Sequence, residues 1–217
     1  MNLAESLYEV IRTGIIEGRY RPRERLVEED LANDLSASRT PVRQALQRLE
    51  LDGLVQTSRG GWTIREHTTH DVEDIYDIRV PLEGYASRLA TERGNDHNLN
   101  LLDEAYESLV RSTAGIIGDP ETDRGEFVRL HDAFHEAIFR AAQNNLLRDA
   151  IMRHRQHPYN RRIAHLYRAD EITAISDSHA TIHRAIRAGD PDTADRLTRE
   201  HLMIAKEATI KLLRNAI

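Results

Sequence analysis

The apolar positions of this chain change period before residue 65 and then settle into one period for the remainder. Leu3, Leu7, Val10, Ile11 and Ile15 recur three and four residues apart, predicting an amphipathic helix over 3–17 that stops at Gly18. After a loop from Arg19 to Arg25, residues 28–35 read as a short helix and Ser36-Ala37-Ser38 as a tight turn. Val42, Ala45, Leu46 and Leu49 then lay an apolar stripe along a third helix, with Pro41 in its first turn, where a missing N–H costs nothing. From Leu54 the period falls to two. Residues 54–58 and 62–64 alternate on either side of Arg59-Gly60-Gly61, which predicts a hairpin. From Asp71 onward only helical periodicity remains, over 70–93, 97–116, 121–143, 145–168, 171–188 and 191–215. The breaks fall at Gly94-Asn95, Gly118-Asp119-Pro120, Asn144-Asn145, Arg168-Ala169-Asp170 and Gly189-Asp190-Pro191. The expected fold is mostly α: a winged helix-turn-helix over 1–66, a linker at 67–69, and an all-α bundle of six helices over 70–217. No repeat at a fixed period points to a solenoid.

Charge gives the third helix its interest. Between Ser38 and Leu49 there are three arginines and no acid, although the chain as a whole carries a formal charge of −6. Ser38, Arg39, Thr40, Arg43, Gln44 and Gln47 occupy the face opposite the apolar stripe. Arginine forks onto guanine, glutamine pairs with adenine, and hydroxyls at a helix N-terminus hold phosphate, so this face suits a DNA major groove. An ordinary helix with a solvated basic face is the competing reading. Residues 1–67 hold ten Arg and eleven Asp or Glu, so the basic charge is local and weak non-specific DNA binding is expected. Seven Tyr, three Phe and one Trp are too few for single-strand stacking platforms, which favours duplex DNA. The absence of cysteine removes disulfides and thiolate metal sites and suits a reducing cytoplasm. No apolar run approaches membrane-spanning length, and the start carries no cationic-plus-apolar leader, so a soluble protein with no membrane partner is expected.

Histidine is the second concentration of chemistry. His131 and His135 stand four residues apart inside the third bundle helix, so both rings leave one face; His179 and His201 lie on the last two helices. A metal in the bundle core, with ligands drawn from facing helices, would bring them together. Neutral imidazole suits Zn, Ni, Co or Cu rather than Mg or Ca. Surface or satisfied core histidines are the competing reading. His183 shares the face of His179 at i+4 and is the main decoy, while His154, His157 and His165 read as solvated or structural. There is no HExxH, nucleophile elbow or Gly-rich phosphate loop.

Several ordered segments carry a resemblance. Ile15-Ile16-x-Gly18, Pro22, Leu26-x-Glu28, Leu31-Ala32, residues 38–46, Leu49, Gly53-Leu54-Val55 and Gly60-Gly61 resemble the DNA-binding domain of the GntR superfamily of bacterial repressors. Phe134-His135, Asn144, Ser178-His179 to Ala185, Gly189-Asp190, Ala194 and His201-Leu202 resemble the FCD domain, the ligand-sensing bundle of its FadR branch. The resemblance implies DNA contacts at Ser38, Arg39, Thr40, Arg43, Arg59 and Gly60. It implies a metal on His135, His179 and His201, with His131 standing where the family normally has Asp. That replacement removes one negative charge and favours Zn, with Ni possible. Asp132, about 100° round the helix, is a poorer ligand but could orient a ring. Arg79 of Arg79-x-x-x-Glu83 is implied to face the pocket and clamp a carboxylate; the bland alternative is a surface Arg–Glu pair. Arg148, Asn160, Arg162 and Ser176 are further candidates for the lining. Two departures stand out: Pro22-Arg23-Glu24 replaces the usual Pro-Gly, suggesting a looser turn, and Glu29 replaces an Arg that reaches DNA in some relatives. The expected function is a homodimeric operator-binding regulator, read as a repressor, controlled by a small organic acid at the metal. The alternatives are a metal-dependent enzyme acting on such an acid, or a structural metal beside an acyl ligand.

Overall fold

The structure, a computed structural model, describes residues 2–66, 68–118, 124–155 and 168–215. The chain divides into two compact units, with the boundary between Thr68 and Thr69. In the first, α1 (Leu3–Ile16) is capped by the Asn2 side chain, which accepts from the Glu5 amide. Its buried face is Leu7, Tyr8, Ile11 and Ile15, whereas Leu3 and Val10, expected inside, are exposed. The buried arc is rotated about the helix axis, so that Tyr8 on the other edge of the stripe is covered. Its hydroxyl donates to Asp52 at 2.6 Å, its ring lies under the Arg48 guanidinium, and burial pushes its pKa up to about 12. Next come β1 (Arg25–Leu26), α2 (Glu28–Asp34) and α3 (Arg39–Leu51). The turn between the helices passes through Ser36 in a left-handed conformation at φ 49°. Val42, Ala45, Leu46 and Leu49 are buried on α3, as the stripe requires.

The wing consists of β2 (Val55–Ser58) and β3 (Gly61–Ile64), paired antiparallel with Ser58 opposite Gly61. The sequence predicts a loop over residues 19–25. Instead Arg25 and Leu26 pair with Thr63 and Trp62, giving a three-stranded sheet of order β1-β3-β2. Arg25 also donates to the Gly60 carbonyl at 2.5 Å and fastens the wing tip. A Cβ at Gly60 would meet that guanidinium, and its φ of 81° favours glycine independently.

In the second unit the described residues form six helices: α4 (Thr69–Arg93), α5 (Asp96–Gly118), α6 (Arg124–Ala141), α7 (Asn145–Arg155), α8 (Ala169–Arg187) and α9 (Pro191–Asn215). The fourth was expected to reach residue 168, but 156–167 lie outside the described residues. The polar breaks act as caps: Asn95, Asn144 and Asp190 each accept from the amide three residues on, opening α5, α7 and α9. Phe134, Phe139, Leu89, Leu102, Leu109 and Ile116 fill the core. α4 and α9 run antiparallel along their lengths, tied by Lys206–Asp77 at 2.7 Å and Thr198–Ser87 at 2.8 Å. They meet closely at Gly84, where a Cβ would stand 2.2 Å from Asp195 Oδ1 and 2.8 Å from Arg199 Cγ.

The turn at Pro22-Arg23-Glu24 closes despite lacking glycine: the Glu24 amide donates to the Arg21 carbonyl at 3.0 Å, and Arg23 itself takes φ 65°. The expected looseness is therefore replaced by strain on one side chain. Arg23→Gly should stabilise the protein by about 0.5–1 kcal/mol, read as a higher thermal midpoint, because glycine visits this region without the Cβ penalty. An unchanged or lower midpoint would show that the exposed Arg23–Glu66 pair outweighs the strain.

Candidate metal centre and nucleic-acid interface

α6 brings His131 and His135 to the middle of the bundle, α8 supplies His179 and α9 supplies His201. One nitrogen from each of the four lies within 4.8 Å of the others. His135, His179 and His201 are buried, and His131 is partly so. The rings pack tilted against one another, with centroids 4.5 Å apart for His179–His201 and 4.8 Å for His131–His135. Nε2 of His135 and Nε2 of His179 face each other at 3.2 Å. A tetrahedral zinc with Zn–N bonds of about 2.0–2.1 Å separates its ligand nitrogens by about 3.3 Å, so this pair already stands at ligand spacing.

Tautomers can be argued from the neighbours. The Ser178 hydroxyl donates to the Ile175 carbonyl at 2.6 Å and lies 2.8 Å from His201 Nδ1. With its proton committed, Ser178 accepts from Nδ1–H, which leaves the lone pair of His201 on Nε2. Nδ1 of His135 and Nδ1 of His179 are buried with no hydrogen-bond partner among the described residues. Glu83 Oε2 stands 3.9 Å from His135 Nδ1. Made of imidazole nitrogens alone, the donor set suits a transition metal rather than a hard cation such as Mg or Ca.

Charged groups sit against the histidines. Glu83 is fully buried. Its carboxylate accepts from Arg79 Nε at 2.7 Å and from Arg155 Nη1 at 2.7 Å. The Arg79–Glu83 pair is a core feature, which goes against the bland alternative of a surface pair, and Arg79 is also stacked on Tyr76. Arg155 reaches Asp132 as well, at 3.3 Å. Burial opposes ionisation of Glu83, but the two guanidinium charges prevail and lower its pKa. Asp132 is likewise held at about 2: burial would raise it, and His131 with Arg155 overrides that.

Glu83 and Arg155 were missed as site residues because the contact between them spans 72 positions. The decoy His183 bonds to Asp103 at 2.7 Å and stacks on Tyr106, away from the cluster. His154 is half-buried on α7. Arg148 packs by Glu136, 3.8 Å away, Ser176 is partly buried on α8, and the serine whose hydroxyl meets the cluster is Ser178. Asn160, Arg162, His157 and His165 lie outside the described residues.

On the first unit, Ser38 occupies the N-cap position of α3, yet its side chain makes no capping bond. Arg39, Thr40 and Gln44 are exposed along the helix, as is Arg59 at the wing tip beside Gly60. Arg43 is also exposed but is engaged by Glu28 of α2, which accepts from its Nε at 2.8 Å and its Nη2 at 2.7 Å. Glu29, at the position where an Arg was expected in some relatives, is exposed and acidic.

A winged helix-turn-helix joined in sequence to a histidine-centred helical bundle defines a class of two-part transcriptional regulators. Residues 3–64 match the family described as bacterial regulatory proteins, gntR family, and residues 74–203 match the FCD domain. The chain belongs to the GntR family of regulators, in the FadR-type branch that carries an FCD domain, and these families are regulators rather than enzymes. It is 32% identical over 145 residues to an uncharacterized HTH-type transcriptional regulator, YdhC, of Bacillus subtilis, an alignment covering 66% of this chain. It is 35% identical over 129 residues, 59% of this chain, to the Nta operon transcriptional regulator of Aminobacter aminovorans. The chain spans 62% and 58% of these two relatives' own lengths. Among solved structures, Escherichia coli McbR/YncC superposes with a TM-score of 0.81 over 98% of this chain and 99% of that one, a likeness of fold at 21% identity. No helix among the described residues is long and apolar enough to cross a membrane.

Burial lowers the pKa of all three inner histidines, that of His201 to about 3 with a further push from His131. In the unfolded chain each titrates near 6.5. Above that pH both states are neutral there and the histidines contribute no pH dependence. Below it the unfolded state takes up protons that the folded bundle refuses, so stability falls. The metal-free protein should lose denaturant stability steadily from about pH 6.5 towards pH 4, and His179→Phe should flatten that slope. A slope unaffected by the substitution would place the proton uptake elsewhere.

Proposed function

We propose that this protein is an operator-binding repressor, acting as a homodimer on double-stranded DNA, whose bundle carries a divalent transition metal on His131, His135, His179 and His201. Zinc fits this set best, with nickel next. A small organic-acid effector docks there and loosens operator binding. The observation that carries the reading is the convergence of four histidine nitrogens within 4.8 Å in a buried bundle core. The membership of the FCD family supports it, since that domain is often metal-binding.

A bound metal would supply a positive centre able to hold a carboxylate. Every other requirement falls on the chain's own groups. The ionised partners nearby, Arg79 and Arg155 against Glu83 and Asp132, sum to no net charge, and four neutral imidazoles add none. The dication would therefore remain uncompensated until an anion arrived. Arg79, buried beside the histidines, is the effector-binding residue that would orient such an anion through bidentate hydrogen bonds. On the first unit, Ser38, Arg39, Thr40, Arg43, Gln44, Arg59 and Gly60 supply the DNA-facing set. A dimer reads two half-sites at once, so a modest change in their separation costs affinity at both.

The purified wild type should contain about one zinc or nickel per chain by inductively coupled plasma mass spectrometry, and the His135→Ala, His179→Ala double variant close to none. With a duplex selected by the wild type from a randomised library, a panel of small carboxylates should include one that weakens binding at least about tenfold. The double variant should not respond to it. A metal-free wild type that still selects a duplex would keep the regulator and remove the metal site.

A further inference from the structure

Arg43 is held by one edge and exposed along another. Its Nε and Nη2 donate to the two oxygens of Glu28, at 2.8 and 2.7 Å. A guanidinium carries five N–H groups in a planar fork, so a carboxylate on the Nε/Nη2 edge leaves the Nη1/Nη2 edge facing outward along the side-chain axis. The exposures agree: 54% for the Arg43 side chain against 13% for Glu28. Glu28 is steadied from two further sides. Trp62 Nε1 of the wing donates to Oε1 at 3.4 Å, and Arg39 Nη2 stands 3.7 Å from Oε2 without a hydrogen bond. One carboxylate in the first turn of α2 thus ties α3 to strand β3.

We propose that Glu28 is a positioning residue for sequence reading: it fixes Arg43 so that its Nη1/Nη2 edge is presented, already oriented, to one guanine in each half-site. The proposal rests on the operator-binding reading above and deepens it. The outward edge carries two parallel donors, the pattern that matches guanine O6 and N7; adenine places an N6 donor where one acceptor is needed. An arginine free to rotate loses conformational freedom on binding, and Glu28 removes that loss beforehand. The pair also acts by exclusion. Were Arg43 to swing onto a backbone phosphate, it would leave an ionised carboxylate uncompensated against a polyanion. Arg43 is therefore kept for bases, while Arg39, drawn towards Glu28 but not bonded to it, is available to phosphate. The hydrogen bonds from Arg43 hold the Glu28 carboxyl at about 2, so the pair persists wherever duplex DNA does.

The test uses the full chain and a randomised duplex library with fixed flanks, selected separately by the wild type, Glu28→Gln, Glu28→Ala and Arg43→Ala. The wild type should select an inverted repeat containing one guanine per half-site whose replacement by adenine or 7-deazaguanine weakens binding at least about tenfold. Both Glu28 variants should reduce that preference to below about threefold at this position alone, with Arg43→Ala erasing preference at the same position. Thermal midpoints confirm that the variants are folded, and Glu28→Gln, close in shape, keeps the test open if Glu28→Ala does not fold. The proposal is overturned if Glu28→Gln keeps the full guanine preference, or weakens binding evenly at every position as a purely structural role would. It is also overturned if Arg43→Ala and Glu28→Gln alter different positions. A wild type that selects no sequence at all would instead remove the operator reading, and this proposal with it.

Discussion

The bundle depends on one requirement: a carboxylate, two guanidiniums and several imidazoles placed deep among packed helices must satisfy one another. Glu83 is fully buried, and an isolated charge there would cost several kcal/mol. Arg79 comes from one turn earlier in the same helix and Arg155 from the end of α7, so α4 and α7 are fixed in register by a single carboxylate. Asp132 extends the same constraint to α6 through Arg155. Apolar packing around Phe134 and Phe139 drives burial, but it would tolerate more than one helix register. The charged set would not.

Apolar periodicity made most of the architecture legible. Stripes such as Val42, Ala45, Leu46 and Leu49 on α3 act locally, and Asn95, Asn144 and Asp190 cap helices within three residues of themselves. Features that failed to show depend on distant partners. β1 is two residues long and exists because Thr63 and Trp62 are opposite it. Val10 has the right spacing to face inward but is exposed, while Tyr8 on the other edge of the stripe is buried, its hydroxyl bonded to the distant Asp52.

The candidate site divides along the same line. The spacing of His131 and His135 on one helix announces a shared face, but nothing local says that His179 and His201 arrive at that face. Resemblance named them, and the geometry brings their rings together. Glu83 was visible only as half of an i, i+4 pair, and its full burial beside Arg155 was not. In the first unit the basic face of α3 was readable, whereas the grip of Glu28 on Arg43 was not, because 15 positions and a turn separate them.

The missing side chain at Gly84 sets how closely two helices of the bundle can lie. The helices bearing Arg79 and His201 approach there so closely that a single added carbon would collide with Asp195 and Arg199. The same two helices are tied by Asp77–Lys206 near one end and by Ser87–Thr198 further along. Any side chain at position 84 would therefore have to displace Asp195 and Arg199 from between the two helices that carry Arg79 and His201.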